Sequence, residues 1–428
     1  MHYINCLNGV KTFEESKSIL QSKGLVVKEY DNLYLVKYVK GKSDMKDTDV
    51  RKCRGVILTK DSNKLLCVPP QKSIDNDFYH NLFSDSDVSQ NVTFEEFIDG
   101  TMINLFKYEG KVYISTRSCL GANCRWNSSN TFNILFNECI DFSKFDNIDE
   151  GYSYSFVIQH PDNTIVKKYV EPNIKLCFVS SISSDNTVNV LNQNSMQELI
   201  TKYELNIGVP KTYSLNNMEA VYKEIDSMDD TEQGIVIKTC NSDSDSDLRS
   251  KVRNINYNKI RFLRGNTNNK QYLYFELRKN QKIVEYLEYF PEDKEFFDNC
   301  RFKLYNFTNN LFNYYRNLKV NKSIRFLEID YEYRPLLNEL HEMYMQDNKI
   351  TTKQKVIQYL HNLPTPRILF ILNYKNRKNT DSNTNSDAVE VEAAAAEVTV
   401  EAADAKTDSS LTSNDPSYVS YANMAKTN

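Results

Sequence analysis

The chain has 428 residues and an ordinary hydrophobic content of 40%, enough for two or three domains with buried cores. No run approaches the ~20 consecutive apolar residues of a membrane-spanning helix, and no basic-then-apolar segment of secretory type opens the sequence. The formal charge of −4 hides an asymmetry: residues 380–428 hold nine acids against two lysines, whereas 251–282 hold nine basic residues against Glu276 alone. That basic belt suits a phosphate-bearing partner, or else is a solvated surface face. The nine cysteines are scattered without a Cys-x-x-Cys pair, Cys119 and Cys124 being the closest two. They read as reduced thiols of an intracellular, cytoplasmic protein, with no zinc-ligand spacing. Richness in Asn, Lys, Tyr and Ile suggests an AT-rich genome, such as that of a large DNA virus or a protist.

In chain order, the first 24 residues read as a short strand and then a helix over Phe13–Ser22, closed by Gly24 as a C-cap signal. β-rich runs follow at 25–28, 33–39, 55–59 and 64–68, with Asp61-Ser62-Asn63 as a turn. A strand pair, Thr101–Tyr108 and 111–116, is joined by Glu109-Gly110, and 131–142 carries apolar residues at helical spacing. Strands are expected again at Tyr152–Gln159, 164–168 and 174–181, then a helix at 218–228 and an apolar strand at Gly234–Thr239. Past Asn254 a period near 3.6 takes over, as in Leu336, Leu337, Leu340, Met343 and Tyr344. The segment 377–428 is acidic and of low complexity, which predicts disorder.

Five segments carry the chemistry. They are Arg51-Lys52-Cys53-Arg54-Gly55 with Pro69-Pro70-Gln71-Lys72 after it; Phe97-Ile98-Asp99-Gly100; Ser155–Val166, which contains Pro161-Asp162-Asn163-Thr164-Ile165-Val166; Glu232-Gln233-Gly234-Ile235-Val236; and Lys251-Val252-Arg253. Alone, Asp99-Gly100-Thr101 is equally a tight turn between strands. Together and in this order, across about 200 residues, the five resemble the bacteriophage RNA ligase 1 type of ATP-dependent nucleotidyltransferase.

The resemblance implies an α+β fold. Residues 1–254 would be a nucleotidyltransferase (ligase adenylation) domain with antiparallel sheets, 255–376 an all-helical C-terminal domain, and 377–428 a disordered acidic tail. In that family a lysine amine of the Lys-x-Asp-Gly motif attacks the α-phosphate, which divides one hard substitution into two easier ones. Phe97 stands in the lysine position, and a phenyl ring cannot attack phosphorus. Val157 and Gln233 fall where the family has glutamates, and Thr164 where it has an arginine. The cations are largely kept: Arg54, Lys72, Arg117, Lys251 and Arg253 are candidates to neutralise phosphates, with Asp99 and Gly100 shaping the pocket.

ATP and Mg are the implied cofactors, and a bulge that brings in Glu232 is the available route to a metal ligand. The expected partner is a nucleotide or RNA, with no membrane, and with the acidic tail's protein partner left open. No catalytic nucleophile is assigned. Three readings follow: a degenerate ligase-like protein that binds a nucleotide or RNA end without lysine adenylylation; an RNA ligase active on RNA, with sealing of only pre-adenylylated ends as its restricted form; or a structural or interaction protein that keeps the fold. His160, beside Pro161, reads as a turn or core residue. The aromatics Trp126, Phe296, Phe297, Tyr305, Phe307, Phe312, Tyr314 and Tyr315 read as core, with stacking on unpaired bases as the alternative.

Overall fold

Sidedness of the strands builds the N-terminal part of the molecule. The computed structural model describes residues 2–75, 92–126, 128–239 and 248–376; the expected disordered tail at 377–428 lies outside them. Two compact units divide after Arg261. In the first, helix α1 (Phe13–Ser22) is capped by the Thr12 hydroxyl, which accepts from Glu15 N. Strands β1 (Leu25–Tyr30), β2 (Leu33–Tyr38), β3 (Arg54–Thr59) and β4 (Leu65–Cys67) form an antiparallel meander, with helix α2 (Thr48–Lys52) before β3. Every residue of β2 is buried. Tyr34, Val36 and Tyr38 face one cluster with Leu20, while Leu33 and Leu35 face another with Phe106.

The remaining strands are β5 (Val92–Glu96), β6 (Thr101–Tyr108), β7 (Lys111–Ser115), β8 (Tyr152–Gln159), β9 (Asn173–Ile182), β10 (Val188–Val190), β11 (Thr212–Tyr213), β12 (Gly234–Thr239) and β13 (Arg249–Arg253). They make two antiparallel sheets, in the orders β10-β9-β8-β6-β7 and β11-β5-β12-β13. In the five-stranded sheet, Ile103, Leu105, Phe156, Ile158, Ile174 and Leu176 pack on helices α3 (Phe132–Cys139) and α4 (Gln193–Lys202). In the four-stranded sheet, Phe94, Ile235, Ile237 and Val252 pack on helix α5 (Met218–Asp226) through Met218, Val221 and Ile225. Successive side chains alternate between faces, so each sheet has a second face free of these cores.

Two expected strands are corrected. The N-terminal one is a 3-10 turn over Asn5–Leu7, because Asp49 accepts from Asn5 N and Cys6 N, each at 2.8 Å, where a ladder partner would be needed. Residues 164–168 form no strand either, since Val166 N and Lys167 N donate to the Asp99 carboxylate. Helix α6 (Ile255–Arg264) then begins.

The second unit starts at Phe262 and its described residues contain no strand. Its helices are α7 (Lys270–Lys279), α8 (Ile283–Tyr289), α9 (Lys294–Tyr315), α10 (Arg334–Asp347), α11 (Lys353–Asn362) and α12 (Thr365–Leu372). Tyr274 and Tyr286 pack their rings 5.3 and 5.2 Å from that of Phe297. Tyr286 also donates to Asp293, which Lys270 pairs at 2.6 Å. Of the aromatics along α9, Phe297, Phe307 and Tyr315 are buried and Phe296 and Tyr305 are exposed.

Candidate functional site

The second faces of the two sheets built from β5–β13 line a cavity of about 210 Å³. Period-two alternation puts Arg249, Lys251 and Arg253 of β13 on this face, while Ser250 and Val252 are buried on the other. On β12 the same rule sends Val236 and Lys238 inward to the cavity and Ile235 and Ile237 to the core. Register completes the wall: Val236 lies opposite both Glu95 and Lys251, and Lys238 opposite Arg249. The opposing wall is apolar, made by Met102, Val157 and Cys177 of the five-stranded sheet. Arg54 enters from the start of β3 and donates to Met102 Sδ at 3.4 Å. Tyr257 and Arg261, one helical turn apart on α6, close a further side.

The loop Phe97–Gly100 carries the chain from one sheet to the other, and two glycines make this passage possible. Gly100 has φ +154°, and a Cβ there would lie 2.3 Å from Ile158 O and 2.7 Å from Val157 Cγ1. Gly234 has φ +127°, a Cβ would lie 2.1 Å from Val252 O, and its carbonyl accepts from Phe97 N at 2.9 Å. No L side chain fits either approach.

Asp99 locks the loop. Its carboxylate accepts from Lys167 N at 2.8 Å, Val166 N at 3.1 Å and the Tyr257 hydroxyl at 3.0 Å. Burial raises its carboxyl above the ordinary value against the pull of those donors. The Asp99 carbonyl accepts from the Tyr169 hydroxyl at 3.0 Å, and Asn163 donates to the Thr101 hydroxyl at 2.8 Å. The Asn163–Lys167 stretch therefore buttresses the Phe97–Gly100 loop.

Charge in the cavity is lopsided. Six basic side chains line it (Arg54, Lys238, Arg249, Lys251, Arg253 and Arg261) against two carboxylates, Glu95 and Glu96. Both acids are already paired, Glu95 with Lys238 at 2.5 Å and Glu96 with Lys175 at 2.6 Å. Lys251 Nζ sits over the Phe97 ring, 4.6 Å from its centre, and the Arg253 guanidinium lies 5.4 Å from the same ring. Burial, then the charges of Arg249, Arg54, Arg253 and Lys72, push the Lys251 ammonium well below the ordinary lysine value. Burial and Arg54 likewise lower Arg249 to about 10, which leaves it charged at neutral pH.

Of the residues expected from sequence, Arg54, Phe97, Gly100, Lys251 and Arg253 meet in this cavity, together with Val157 and Gln233. Lys72 acts on it through its charge on Lys251 and is not a lining residue. Arg117 is not a lining residue either. It donates to Tyr38 O at 2.9 Å, and its guanidinium lies 4.2 Å from the Tyr38 ring centre. Asp99 and Glu232 line a second cavity of only about 20 Å³, and Glu232 accepts from Asp229 N at 3.1 Å to close a turn. His160 is buried and caps the turn Pro161–Asn163 by accepting from Asp162 N. Sequence reasoning did not assign Lys238, Arg249 or Arg261 to the site. The Arg249-x-Lys251-x-Arg253 alternation was a readable signal for the second of these.

As a preformed divalent-cation site the cavity fits poorly, since its carboxylates are neutralised by lysines. Among the described residues, no three His, Cys, Asp or Glu side chains converge as metal ligands. The donor set fits an anion. No helix among the described residues is long and apolar enough to cross a membrane.

No family model matches the chain, and no curated protein matches it. Among solved structures it is similar to form 1 of an archaeal ATP-dependent RNA ligase, at 14% identity and TM-score 0.40, over 61% of this chain and 64% of that one. The chain thus spans less than two thirds of that ligase's length. It is also similar to a candidate ATP-dependent DNA ligase from Aquifex aeolicus, at 16% identity and TM-score 0.41, over 81% and 86% of the two chains. A mutant Naegleria gruberi RNA ligase with ATP and Mn aligns at 10% identity and TM-score 0.34, over 44% and 57%.

Proposed function

We propose that the first unit is a ligase-type nucleotidyltransferase body whose cavity binds the phosphates of a nucleotide or of an RNA 5′ end, with no nucleophile at position 97. The observation that carries this reading is the surplus of cations in one cavity: six basic side chains, Lys238 among them paired to Glu95, against two carboxylates that are both ion-paired. Cations gathered in excess of carboxylates against an apolar wall cost stability, and such a cluster makes physical sense when an anion completes it. A polyphosphate answers it better than a single carboxylate does, because several oxygens can each take a charge-assisted hydrogen bond. The order of the five sequence segments, from Arg54 to Arg253, is what favours a nucleotide over other polyanions. A divalent cation has no preformed place among Glu95 and Glu96 and would arrive, if at all, on the phosphates themselves.

Calorimetry and thermal shift with tripolyphosphate, ATP, and matched RNAs bearing a 5′-phosphate or a 5′-hydroxyl test this directly. Binding should weaken with added salt and should fall about 100-fold or more in Lys251→Ala plus Arg253→Ala, since each charged hydrogen bond contributes roughly 1.5–3 kcal/mol. Absence of any phosphate-dependent binding by the folded protein would leave only a structural role for the fold.

A further inference from the structure

The cavity lacks an amine at position 97 but is not without one. Four of its six cations are arginines, whose guanidinium stays protonated and cannot act as a nucleophile. Lys238 is tied to Glu95 at 2.5 Å and donates to Cys177 O at 3.2 Å. That leaves Lys251. Among the described residues no carboxylate pairs with it, and its Nζ stands 4.6 Å from the centre of the very ring that replaces the motif lysine.

We propose that Lys251 is a displaced nucleophile: its amine, presented from β13 over the face of Phe97, attacks the α-phosphorus of a nucleoside triphosphate held by the surrounding arginines. The inference rests on the phosphate-binding reading above and adds a covalent step to it. In that step the Lys251 Nζ–P bond forms and the bond from the α-phosphorus to the bridging oxygen breaks. Pyrophosphate leaves with the electron pair, and the proton lost by the amine passes to it. The product is a lysyl–nucleoside monophosphate, and nothing is oxidised or reduced.

Three features support it. An amine must be unprotonated to attack, and desolvation beside other cations is the established way to make a lysine so at neutral pH. Lys251 has that environment, with Arg249, Arg54, Arg253 and Lys72 acting on it. The arginines that depress it are also the groups placed to take up charge on the phosphates as pyrophosphate departs. Finally, Arg253, held 5.4 Å from the same ring, brings a guanidinium beside the amine on one strand face.

The test is incubation of the full chain with α-labelled magnesium ATP, and in parallel with the other three nucleoside triphosphates, followed by denaturing electrophoresis and peptide mass spectrometry. The expected result is an acid-labile, alkali-stable adduct of one nucleoside monophosphate on Lys251. Its formation should titrate with a midpoint below the ordinary lysine value of ~10.4. Lys251→Arg keeps a cation in place but is no nucleophile. It should abolish the adduct, with none appearing on any other residue. An adduct on another lysine, or phosphate binding by the wild-type chain without any adduct, overturns the inference and leaves the binding reading standing. No binding and no adduct overturns both. The wild-type mapping decides the matter even where a variant fails to fold.

Discussion

Lys251 holds its ammonium over the face of Phe97, 4.6 Å from the ring centre. The contact favours the charged form by about 0.5–2 kcal/mol. Burial and four neighbouring cations act the other way and prevail, because the net displacement is well below the ordinary lysine value. Phe97 is therefore a partner of the basic cluster.

A lysine in place of that ring should strain the cluster. Phe97→Lys removes the aromatic contact and adds an ammonium within about 5 Å of two cations, a repulsion on the order of 3 kcal/mol each at an effective dielectric of ~20 before screening. The variant should melt at a lower temperature than the parent without ligand. Tripolyphosphate should raise its melting temperature by more than it raises the parent's, since ligand that binds only the folded form stabilises it. Equal shifts in the two proteins would mean that position 97 does not face the bound anion.

The same cluster predicts an alkaline signature. Lys251 has a folded-state value depressed below the unfolded ~10.4. Below the folded value both states hold the proton and the penalty is fully present. Between the folded value and ~10.4 the unfolded chain binds more protons, so stability rises with pH through this window and gains nothing further above it. Lys251→Met should remove that contribution. The difference in urea unfolding free energy, variant minus parent, should be most positive below the folded value and shrink as pH rises toward ~10.4. A constant difference over this range would contradict the depressed value.

Asp99 can be separated from charge by substitution. Its oxygens accept from two backbone amides and the Tyr257 hydroxyl. Asp99→Asn keeps an acceptor for the amides and can turn its NH2 toward the tyrosine oxygen. Asp99→Ala orphans three donors in a buried place, each costing about 1–3 kcal/mol. The alanine variant should lose about 3 kcal/mol or more in denaturant titration, and the asparagine variant clearly less. Equal losses would show that the negative charge matters more than the hydrogen bonds.

Much of this site was legible in the sequence, and the gaps have physical causes. Strands Thr101–Tyr108, Tyr152–Gln159 and Gly234–Thr239 were readable because apolar residues dominate them and glycines or turn residues bound them. Strand β13 was not, since Arg249-Ser250-Lys251-Val252-Arg253 has one apolar residue and reads as surface. Its charges are tolerated there only because three sheet positions face a cavity. The segment 164–168 misled for the opposite reason: Ile165 and Val166 suit a strand, yet a distant carboxylate, Asp99, takes the amides of Val166 and Lys167. Arg117 sits in a sequence motif but stacks on Tyr38, a contact set by long-range packing that no local pattern reveals. Glu95 and Glu96 could be placed near the site from their neighbours, but their pairing with Lys238 and Lys175 needs the sheet register.

That pairing yields the sharpest test of whether the cavity is an anion site or a metal site. Glu95 is buried and bonded to Lys238 at 2.5 Å. Glu95→Gln keeps the shape and removes one negative charge, so Lys238 is released to the cavity. Loss of one partner of a buried pair should lower unliganded stability by about 3–5 kcal/mol. Affinity for metal-free tripolyphosphate should rise instead, by about 3- to 10-fold, because the field at the cavity becomes more positive. If Glu95 were a metal ligand, the magnesium salt of ATP would bind more weakly to this variant while tripolyphosphate did not. Parallel calorimetry with the two ligands separates the cases. Weaker binding of both would remove Lys238 from the phosphate-binding set and confine the anion to Arg54 and the basic row of β13.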